Sequence, residues 1–514
     1  MAVPQTGLRY TMGRKMRVKK MIALFLSAVM TLGLLTGCSS GNTAATGSEG
    51  ETAGGDTEKP YTVTIYAPYD AKTGDCDAVS EAVSKITREL INCDVEVIRG
   101  MSSEQLNLAL TSGEKMDLFY AFPWELSLSS MAASNQIVPL DDLLAEHGAD
   151  TLSAISDDDW QCVTVDGKIY GIPMNKDKAQ ARGFLMAKDI ADEVGIDYSV
   201  KKTYAELEED LTKVKEAYPD LYPIVPNAGS MMIPIPSDTL GDSLGVLPNC
   251  LTDSTKVVNL FDSDEYKEYV SYMYKWSQDG IMMPDAANTT ESYDDFIRSG
   301  VGFGTFTPIK AGFEAEETRK CGTDIVAVEL YEAHSTTTMV NASWCVANNS
   351  EKPDKAVEML NLMYTNPEIS NLLINGMEGT HYKVVDADKN IIDYADGLDS
   401  SSTGYSSVGW AWPNEQITSV WNGSDPNVWE ELSKFNASAK ASPAKGFAWN
   451  NANVLNEVTA CQNVVNKYEN SLDCGCLDPE VALPQMNEDL KAAGIEKIME
   501  EKQAQLDAWL ADKK

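Results

Sequence analysis

The feature that most constrains the fold is an alternation of strand and helix patterns that begins at Tyr61. Residues 61–66 read Tyr-Thr-Val-Thr-Ile-Tyr, a β-rich run that predicts a strand. Residues 77–91 then carry four apolar side chains at the spacing of one helix face, and residues 94–98 predict a second strand. Because parallel strands need a crossover between them, this order predicts βαβ units, an α/β fold class and a mostly parallel sheet.

The same order of patterns recurs further along the chain. A helix capped by either Ser102 or Ser103 and ended by Gly113 leads into a predicted strand at 116–122. Later helices are predicted at 203–218, where Thr203 and Glu206 form a capping box, at 264–278 and at 494–510. The length of 514 residues suffices for two or three units of ordinary domain size.

An apolar run near the start predicts export. Basic residues between 14 and 20 precede the run at 21–35, which has the length and flanks of a secretory signal rather than of a membrane-spanning helix. The run ends in Leu-Thr-Gly-Cys at 35–38, which resembles a bacterial lipobox. We therefore expect residues 1–37 to be a signal peptide and Cys38 to be diacylated, which anchors the chain at the outer face of the cell membrane. The alternative is an ordinary signal peptide with an incidental cysteine.

The residues after Cys38 predict a tether. Residues 39–59 are rich in Gly, Ser, Thr and Glu and contain no large apolar side chain, so they cannot bury enough surface to form a core. We expect 38–59 to be a lipidated flexible tether and 60–514 to be the folded body.

Composition argues against two classes of partner. The net charge of −37 repels nucleic acid and anionic lipid headgroups, and it says little about a neutral ligand. Ten cysteines include Cys38, and the only close pair is Cys474 and Cys476, which lacks a second pair and a nearby histidine. We expect no metal site and no cofactor, and buried or adventitiously paired thiols at these two positions, since an exported compartment permits disulfides.

Several landmarks, taken in order, carry a family resemblance. They are Asp-Leu-Phe at 117–119, Asn-Gln-Ile-Val-Pro-Leu-Asp at 135–141 and Asp-Gly-Lys-Ile-Tyr-Gly-Ile-Pro at 166–173. Their order resembles bacterial extracellular solute-binding proteins of the sugar-binding type, the receptors of ABC importers. The loop Asn-Gly-Met-Glu-Gly-Thr-His-Tyr at 375–382 and the tail around Gly446, Asp478 and Trp509 resemble a lipoprotein subgroup of Gram-positive bacteria.

This resemblance implies a periplasmic-binding-protein-like (Venus flytrap) fold of two α/β lobes joined by hinge strands. Lobe 1 would span about 60–170 and 341–378, and lobe 2 about 171–340 and 379–514. Crossings between the lobes would lie near 170–175, 339–346 and 376–382. The protein would be a monomeric receptor and not an enzyme. It would bind a carbohydrate and deliver it to an ABC permease. The many aromatic residues of the chain favour an oligosaccharide as the ligand.

Sugars are recognised by aromatic rings and by planar polar side chains, so residues of these types near the implied cleft are the candidates. Trp124 follows a strand end, and the residues at 378–382 lie on a glycine-bounded loop. Trp410 and Trp412 lie on a loop bounded by Gly and Pro and would stack on the ligand. The alternative is that the two rings only anchor the loop. The predicted ligand-binding residues are Trp124, Asn175, Arg182, Glu378, His381, Tyr382, Trp410 and Trp412, while Trp276 and Trp344 are expected in the core.

Catalysis has less support. The chain has three histidines and contains no H-E-x-x-H, P-loop or G-x-S-x-G motif. A glycoside hydrolase needs only two suitably placed carboxylates, and the chain has 78 acidic residues. A lipid-anchored glycoside hydrolase is therefore the alternative function.

Overall fold

Two five-stranded sheets, each with its own apolar core, organise the part of the chain that the structure describes. The structure is a computed structural model that describes residues 59–67, 74–99, 101–123 and 125–513. The predicted signal peptide, Cys38, nearly all of the tether and Trp124 lie outside the described residues.

The first sheet contains the predicted βαβ unit. Its strands, in spatial order, are Cys93–Ile98, Tyr61–Tyr66, Leu118–Ala121, Ser343–Val346 and Ile172–Pro173. The first three run parallel, with Val63 opposite Val95 and Ile65 opposite Leu118. Ser343–Val346 runs antiparallel to both of its neighbours. The central strands Leu118–Ala121 and Ser343–Val346 are buried along their whole length, as expected where both faces of a sheet are covered, whereas the edge strand Cys93–Ile98 alternates buried and more exposed residues.

The second sheet corrects the expectation of mostly parallel strands. Its order is Lys440–Ala441, Ile325–Ser335, Gln180–Ala187, Gly302–Ile309 and Tyr222–Ile224. The middle strand, Gln180–Ala187, runs antiparallel to both of its neighbours, and only the two edge strands pair in parallel. The helix periodicity around these strands does not reveal their direction, which is why the sequence missed it.

Smaller ladders and many helices complete the fold. A three-stranded sheet joins Tyr382–Asp386, Ile391–Tyr394 and Val420–Trp421, and a hairpin pairs Thr164–Val165 with Lys168–Ile169. Helices before residue 180 and between 350 and 376 are Cys76–Ile91, Ser103–Ser112, Leu128–Ala133, Asp141–His147, Ala149–Ala154, Asp157–Gln161, Pro353–Thr365 and Pro367–Asn375. The other helices are Lys188–Val194, Tyr204–Ala217, Asp264–Gln278, Tyr293–Arg298, Phe313–Cys321, Thr337–Val340, Val428–Ser438, Leu455–Asp473, Pro479–Ala493 and Ile495–Asp512.

Capping residues in the sequence predicted the ends of two helices correctly. Ser102 and Gln105 form a capping box before Ser103–Ser112, and Gly113 follows in a left-handed conformation. The predicted capping box of Thr203 and Glu206 is present at the start of Tyr204–Ala217. Side-chain oxygens at these positions satisfy backbone N–H groups that the first helical turn leaves unpaired.

Each sheet carries a separate core. The core of the first lobe contains Trp344, and the core of the second contains Trp276, which is stacked on Phe306 at 6.2 Å between ring centroids. Both tryptophans are 0% exposed, which confirms their predicted core positions.

The chain crosses between the sheets three times in the described region. The first crossing lies between Ile172–Pro173 and Gln180–Ala187, and the second between Ile325–Ser335 and Ser343–Val346. The third lies between Trp412, which packs in the first core, and Lys440–Ala441 of the second sheet, which corrects the predicted crossing at 376–382.

The 376–382 loop stays with the first lobe because His381 holds it there. The His381 Nε2 atom lies 3.1 Å from Asp75 Oδ2, and the ring packs 5.7 Å from that of Tyr405. Tyr405, Ala411 and Trp412 also belong to the first core, so lobe 1 extends past the predicted limit of 378. The other lobe limits stay a prediction.

Three further features of the described residues concern membrane crossing, metal binding and cysteine thiols. No described helix has both the length and the apolar character needed to cross a membrane. Among the described residues, no group of three or more His, Cys, Asp or Glu side chains is placed to hold a metal ion. The nine described cysteines are free thiols, of which Cys474 is buried and Cys476 exposed.

A buried carboxylate joins the parallel strands of the first sheet. Asp117 is 0% exposed, and its Oδ1 accepts hydrogen bonds from Tyr61 Oη at 2.7 Å and Ser350 Oγ at 2.6 Å. Its Oδ2 accepts from the Thr64 backbone N–H at 2.9 Å, and Lys115 Nζ lies at 3.6 Å. Asp117 therefore ties three segments together through charge-assisted hydrogen bonds.

Replacing Asp117 with Ala should lower the free energy of unfolding by about 3 kcal/mol or more, because several buried donors lose their acceptor at once. Urea denaturation at pH 7 measures the change. Asp220→Ala removes an exposed carboxylate and should change the free energy by less than about 0.5 kcal/mol. Equal effects of the two substitutions would contradict the structural role of Asp117.

Candidate functional site

A cavity of about 580 Å³ lies at the edge of the second sheet where Gln180–Ala187 begins and Gly302–Ile309 ends, beneath a tryptophan from the first lobe. A volume of this size is typical of small-molecule sites in proteins. A cavity of about 610 Å³ elsewhere is bordered by second-lobe residues alone. The interlobe cavity is therefore the candidate site.

The lining combines polar side chains with a few apolar ones. Strands of the second sheet, the first two crossings and two helices of the second lobe supply most of it, and Trp410 supplies the first-lobe side. The principal lining residues are Lys176, Asp177, Gln180, Arg182, Asn227, Met231, Met232, Tyr293, Thr305, Thr307, Lys310, Phe313, Glu316, Glu317, Lys320, Thr336, Thr338, Met339 and Trp410.

The first crossing delivers a buried charged pair to the cavity. Lys176 Nζ lies 3.2 Å from Asp177 Oδ1, and Gln180 Nε2 donates to Asp177 Oδ2 at 2.8 Å. Burial alone would raise the pKa of Asp177, but the positive charges of Lys176 and Lys310 outweigh it and hold the pKa below its ordinary value. Asp177 is therefore ionised and fixed in orientation at neutral pH.

A second charged group lies at the end of Gly302–Ile309. Lys310 Nζ lies 3.0 Å from Glu316 Oε2. Burial would lower the pKa of Lys310, but Glu316, Asp177 and Glu415 together hold it above its ordinary value. Lys310 is thus a fixed cation where the two lobes meet.

Glu415 belongs to the same electrostatic group but does not line the cavity. It follows the Trp410 loop in the first lobe and is 6% exposed, and its Oε1 atom is buried without a hydrogen-bond partner. Burial raises the pKa of Glu415 to about 7, and the negative charges of Asp177 and Glu316 act in the same direction against the pull of Lys310. This carboxyl therefore titrates near neutral pH.

The far wall is a hydrogen-bonded chain. Lys320 Nζ donates to Tyr293 Oη at 2.5 Å, and Tyr293 Oη donates to Glu317 Oε2 at 2.7 Å. Burial raises the pKa of Tyr293, and the Glu317 carboxylate raises it further, so the phenol keeps its proton and acts as a donor.

Of the predicted ligand-binding residues, Arg182 and Trp410 line the cavity. Arg182 lies on the central strand of the second sheet, opposite Pro308 and Tyr331 in register. The Trp410 ring packs 5.3 Å from that of Phe122, and Lys176 Nζ lies 5.7 Å from its centroid. Their ligand contact stays a prediction.

Asn175 lies beside the cavity at the first crossing. Its side-chain amide donates to Asn414 Oδ1 at 2.9 Å, and its backbone N–H donates to Pro413 O at 2.8 Å. The residue thus anchors the Trp410 loop to the hinge segment.

The three candidates on the 376–382 loop do not line the cavity. Glu378 is exposed, and Tyr382 begins the small third sheet. The His381 Nδ1 atom accepts from the Met377 backbone N–H at 2.9 Å. At Gly376, where φ is +82°, a Cβ atom would lie 2.4 Å from His381 Nδ1. The loop therefore folds around a buried histidine and has a structural role. The spacing of the glycines in the sequence did not reveal that His381 points inward.

Trp412 corrects the expectation of two stacking rings. It is 1% exposed and stacks on Trp344, with 5.4 Å between ring centroids and 25° between planes. Its Nε1 donates to Ser407 Oγ at 2.8 Å. A 3-10 turn at Gly409–Ala411 breaks the strand-like alternation on which the prediction relied, so the two tryptophans point to different surroundings.

Sequence reasoning missed most of the polar lining. Lys176, Asp177 and Gln180 directly follow the predicted crossing, and their polarity after an apolar stretch was a usable signal. Lys310 and Tyr293 come from elements that are distant in sequence and carry no motif. The pairing of Gly302–Ile309 with Gln180–Ala187 brings Lys310 to the site, and the packing of Tyr293–Arg298 on Gly302–Ile309 brings Tyr293.

Comparisons with known proteins agree with this architecture. A family model described as bacterial extracellular solute-binding protein matches residues 81–382. The chain belongs to this family. Residues 443–511 match a second model, described as Domain of unknown function (DUF3502). The predicted family and the two-lobe fold are confirmed.

Two relatives of this solute-binding protein come from Streptococcus pneumoniae. A carbohydrate ABC transporter substrate-binding protein of serotype 4 is 28% identical over 458 residues, which cover 86% of this chain and 90% of that protein. The crystal structure of the N-glycan transport solute binding protein NgtS is 26% identical, with a TM-score of 0.77, and covers 88% of this chain and 100% of that chain. The same protein in complex with Man5GlcNAc has a TM-score of 0.75, with 26% identity and coverage of 88% and 99%.

The raised pKa of Glu415 predicts a pH-dependent stability. A carboxyl that titrates at 4.5 in the unfolded chain and at about 7 in the fold binds its proton more tightly when folded. Folding stability should therefore fall by up to about 3 kcal/mol as pH rises from about 4.5 to 7, and Glu415→Gln should remove this component.

Urea denaturation at intervals between pH 5 and 8 tests this. The stability of the Gln variant relative to the unsubstituted protein should increase with pH and level off above about 7. The exposed Glu89→Gln variant serves as the control and should give a constant difference. A constant difference for Glu415→Gln as well would contradict the assignment.

Proposed function

We propose that this protein is a lipid-anchored extracellular receptor that binds an oligosaccharide in the interlobe cavity and delivers it to an ABC permease. The observation that carries the proposal is the cavity itself, which sets Trp410 of the first lobe over a polar floor from the second lobe. The likeness over most of the chain to a protein crystallised with Man5GlcNAc supports a glycan as the ligand.

The chemistry of the lining suits a sugar. A pyranose ring presents an apolar face and a rim of hydroxyl groups, which call for an aromatic platform and for paired hydrogen-bonding groups. Trp410 supplies the platform, and Asp177, Gln180 and Thr307 supply acceptors and donors at fixed positions. The Asp177 carboxylate is already held by Lys176 and Gln180, so binding a hydroxyl does not require it to reorganise.

Because the lining comes from two lobes, ligand binding can favour the closed conformation, which would mark the loaded receptor. A ligand shifts an open and closed equilibrium only by as much as it binds one form better than the other. Contacts from both Trp410 and the second sheet form together only when the lobes are close. The closed, loaded form is therefore the one that we propose the permease recognises.

We propose binding rather than catalysis because the cavity carboxylates have structural partners. Glu316 pairs with Lys310, Glu317 accepts from Tyr293, and Asp177 pairs with Lys176. Burial raises the pKa of Glu317, which lines the cavity, but the Tyr293 hydroxyl already occupies its carboxylate. Glu415, whose pKa burial raises to about 7, does not line the cavity. A hydrolase would need one such group directed at the glycosidic bond.

Titration of the body, residues 60–514, with a panel of neutral N-glycan fragments and other oligosaccharides tests the proposal. Tryptophan fluorescence should change on binding, and chromatography should recover the glycan intact. Binding of a peptide and of no glycan would contradict the sugar assignment. Release of new reducing ends would contradict the receptor assignment in favour of a glycoside hydrolase.

The two loop tryptophans form a matched pair for the same titration. Trp410→Ala should weaken glycan binding by about 1 to 3 kcal/mol, by analogy with aromatic stacking on other planar ligands, and should change the melting temperature little. Trp412→Ala should instead lower the free energy of unfolding by about 3 to 5 kcal/mol because it empties a core position, with little change in affinity for the folded fraction. The reverse pattern would overturn the proposed position of the ligand.

Membrane attachment is proposed from the lipobox at Cys38. Two acyl chains on one residue give stable anchoring, whereas one chain binds only marginally. In the full chain, Cys38→Ala should move the protein from the membrane fraction to the soluble fraction, with unchanged glycan affinity. A Cys38→Ala form that stays with the membrane would contradict lipid anchoring, and Ser39→Ala is the matched control that should remain attached.

A further inference from the structure

The charged residues of the cavity do not balance. Four cationic side chains and three carboxylates line it: Lys176, Arg182, Lys310 and Lys320, with Asp177, Glu316 and Glu317. This excess of positive charge stands in a chain whose net charge is −37. The local imbalance is therefore not a consequence of overall composition.

The three lysines have partners. Lys176 pairs with Asp177 at 3.2 Å and Lys310 with Glu316 at 3.0 Å. Lys320 donates to Tyr293 Oη, which in turn donates to Glu317. Each of the three carboxylates is thus engaged by a group other than Arg182.

Arg182 differs from these lysines. Its Nη1 donates to the Met232 thioether sulfur at 3.4 Å, which is a weak acceptor, and its Nε is buried without a hydrogen-bond partner. Among the described residues, no ion pair joins its guanidinium to a carboxylate. His334, on the neighbouring strand, adds no second positive charge beside Arg182, because burial and the charge of Arg182 lower the pKa of His334 to about 4 and keep it neutral.

The guanidinium keeps its charge in this position. Burial lowers the pKa of Arg182 to about 10, which leaves it protonated at neutral pH. Arg182 is half-buried, and the Asp177 carboxylate acts on it only from beyond ion-pair distance. A partly desolvated cation without an ion-pair partner is unfavourable, and a planar guanidinium binds a carboxylate through two parallel hydrogen bonds. The Met232 thioether satisfies neither the charge nor the fork of donors.

We propose that the cavity contains a subsite for a carboxylate carried by the sugar, and that Arg182 binds it. The ligand class is then an acidic oligosaccharide with a sialic acid or a uronic acid residue. This inference rests on the proposed function, since it names a property of the glycan that the same cavity takes. Trp410 would contact a ring of the glycan while Arg182 holds the acidic residue.

Matched ligand pairs test the subsite by isothermal titration calorimetry. One pair is a sialylated N-glycan and the same glycan after sialidase treatment, and the other is a uronic-acid oligosaccharide and its methyl ester. We expect the acidic member of one pair to bind at least about tenfold more tightly, as a charge-assisted hydrogen bond provides. Which pair responds identifies the source of the carboxylate, and the preference should shrink as salt is added.

Variants assign the preference to Arg182. Arg182→Gln should bring the acidic and neutral members to similar affinity, and Arg182→Lys should keep part of the preference because it keeps the charge without the fork. Arg88→Gln removes an exposed cation from the first lobe and should leave the preference intact. Circular dichroism and melting temperature confirm that each variant is folded.

The outcomes separate the two proposals. Equal affinity for the acidic and neutral members in the unsubstituted protein would overturn the carboxylate subsite and leave the glycan receptor standing. A preference that persists in Arg182→Gln would overturn the assignment to Arg182. Binding of no glycan would overturn the proposed function, and the subsite with it.

Discussion

The two lobes are joined through buried charge, and the cleft depends on how that charge is paired. Asp159 of the first lobe lies 2.9 Å from Lys178 and 3.4 Å from Lys445 of the second-lobe side. Burial would raise the pKa of Asp159, but both ammonium groups act against it and hold the pKa below its ordinary value. Leaving a buried charge without its partner costs several kcal/mol of free energy. Such pairs therefore determine which groups are in contact when the lobes are together.

The cleft continues this polar junction. Lys176, Asp177 and Lys310 lie where the crossings meet the second sheet. The pairs of Lys176 with Asp177 and of Lys310 with Glu316 hold polar groups in place without filling the space between the lobes. Two separate apolar cores on either side keep the sheets rigid. A binding site that lies between two rigid bodies gains contacts from both only on closure, which couples occupancy to shape.

Sequence patterns predicted the parts of this structure whose causes are local. The strand at Tyr61–Tyr66, the helix at Asp264–Gln278 and the capping box at Thr203 each follow from neighbouring residues. The antiparallel centre of the second sheet and the late third crossing did not, because they depend on which strand is the partner. His381 shows the same limit, since its contact with Asp75 spans 306 residues of sequence.

The sequence by itself determined the family, the two-lobe α/β class and the two tryptophans of the cores, because order of landmarks and apolar spacing are properties of the chain. Only the tertiary structure decided which polar residues face the cleft. Trp410 and Trp412 are two residues apart, yet one ring borders the cavity and the other is stacked on Trp344. Arg182 is distinguished from the cleft lysines by the partners it lacks, and partners are set by packing across the sheet rather than by position in the sequence.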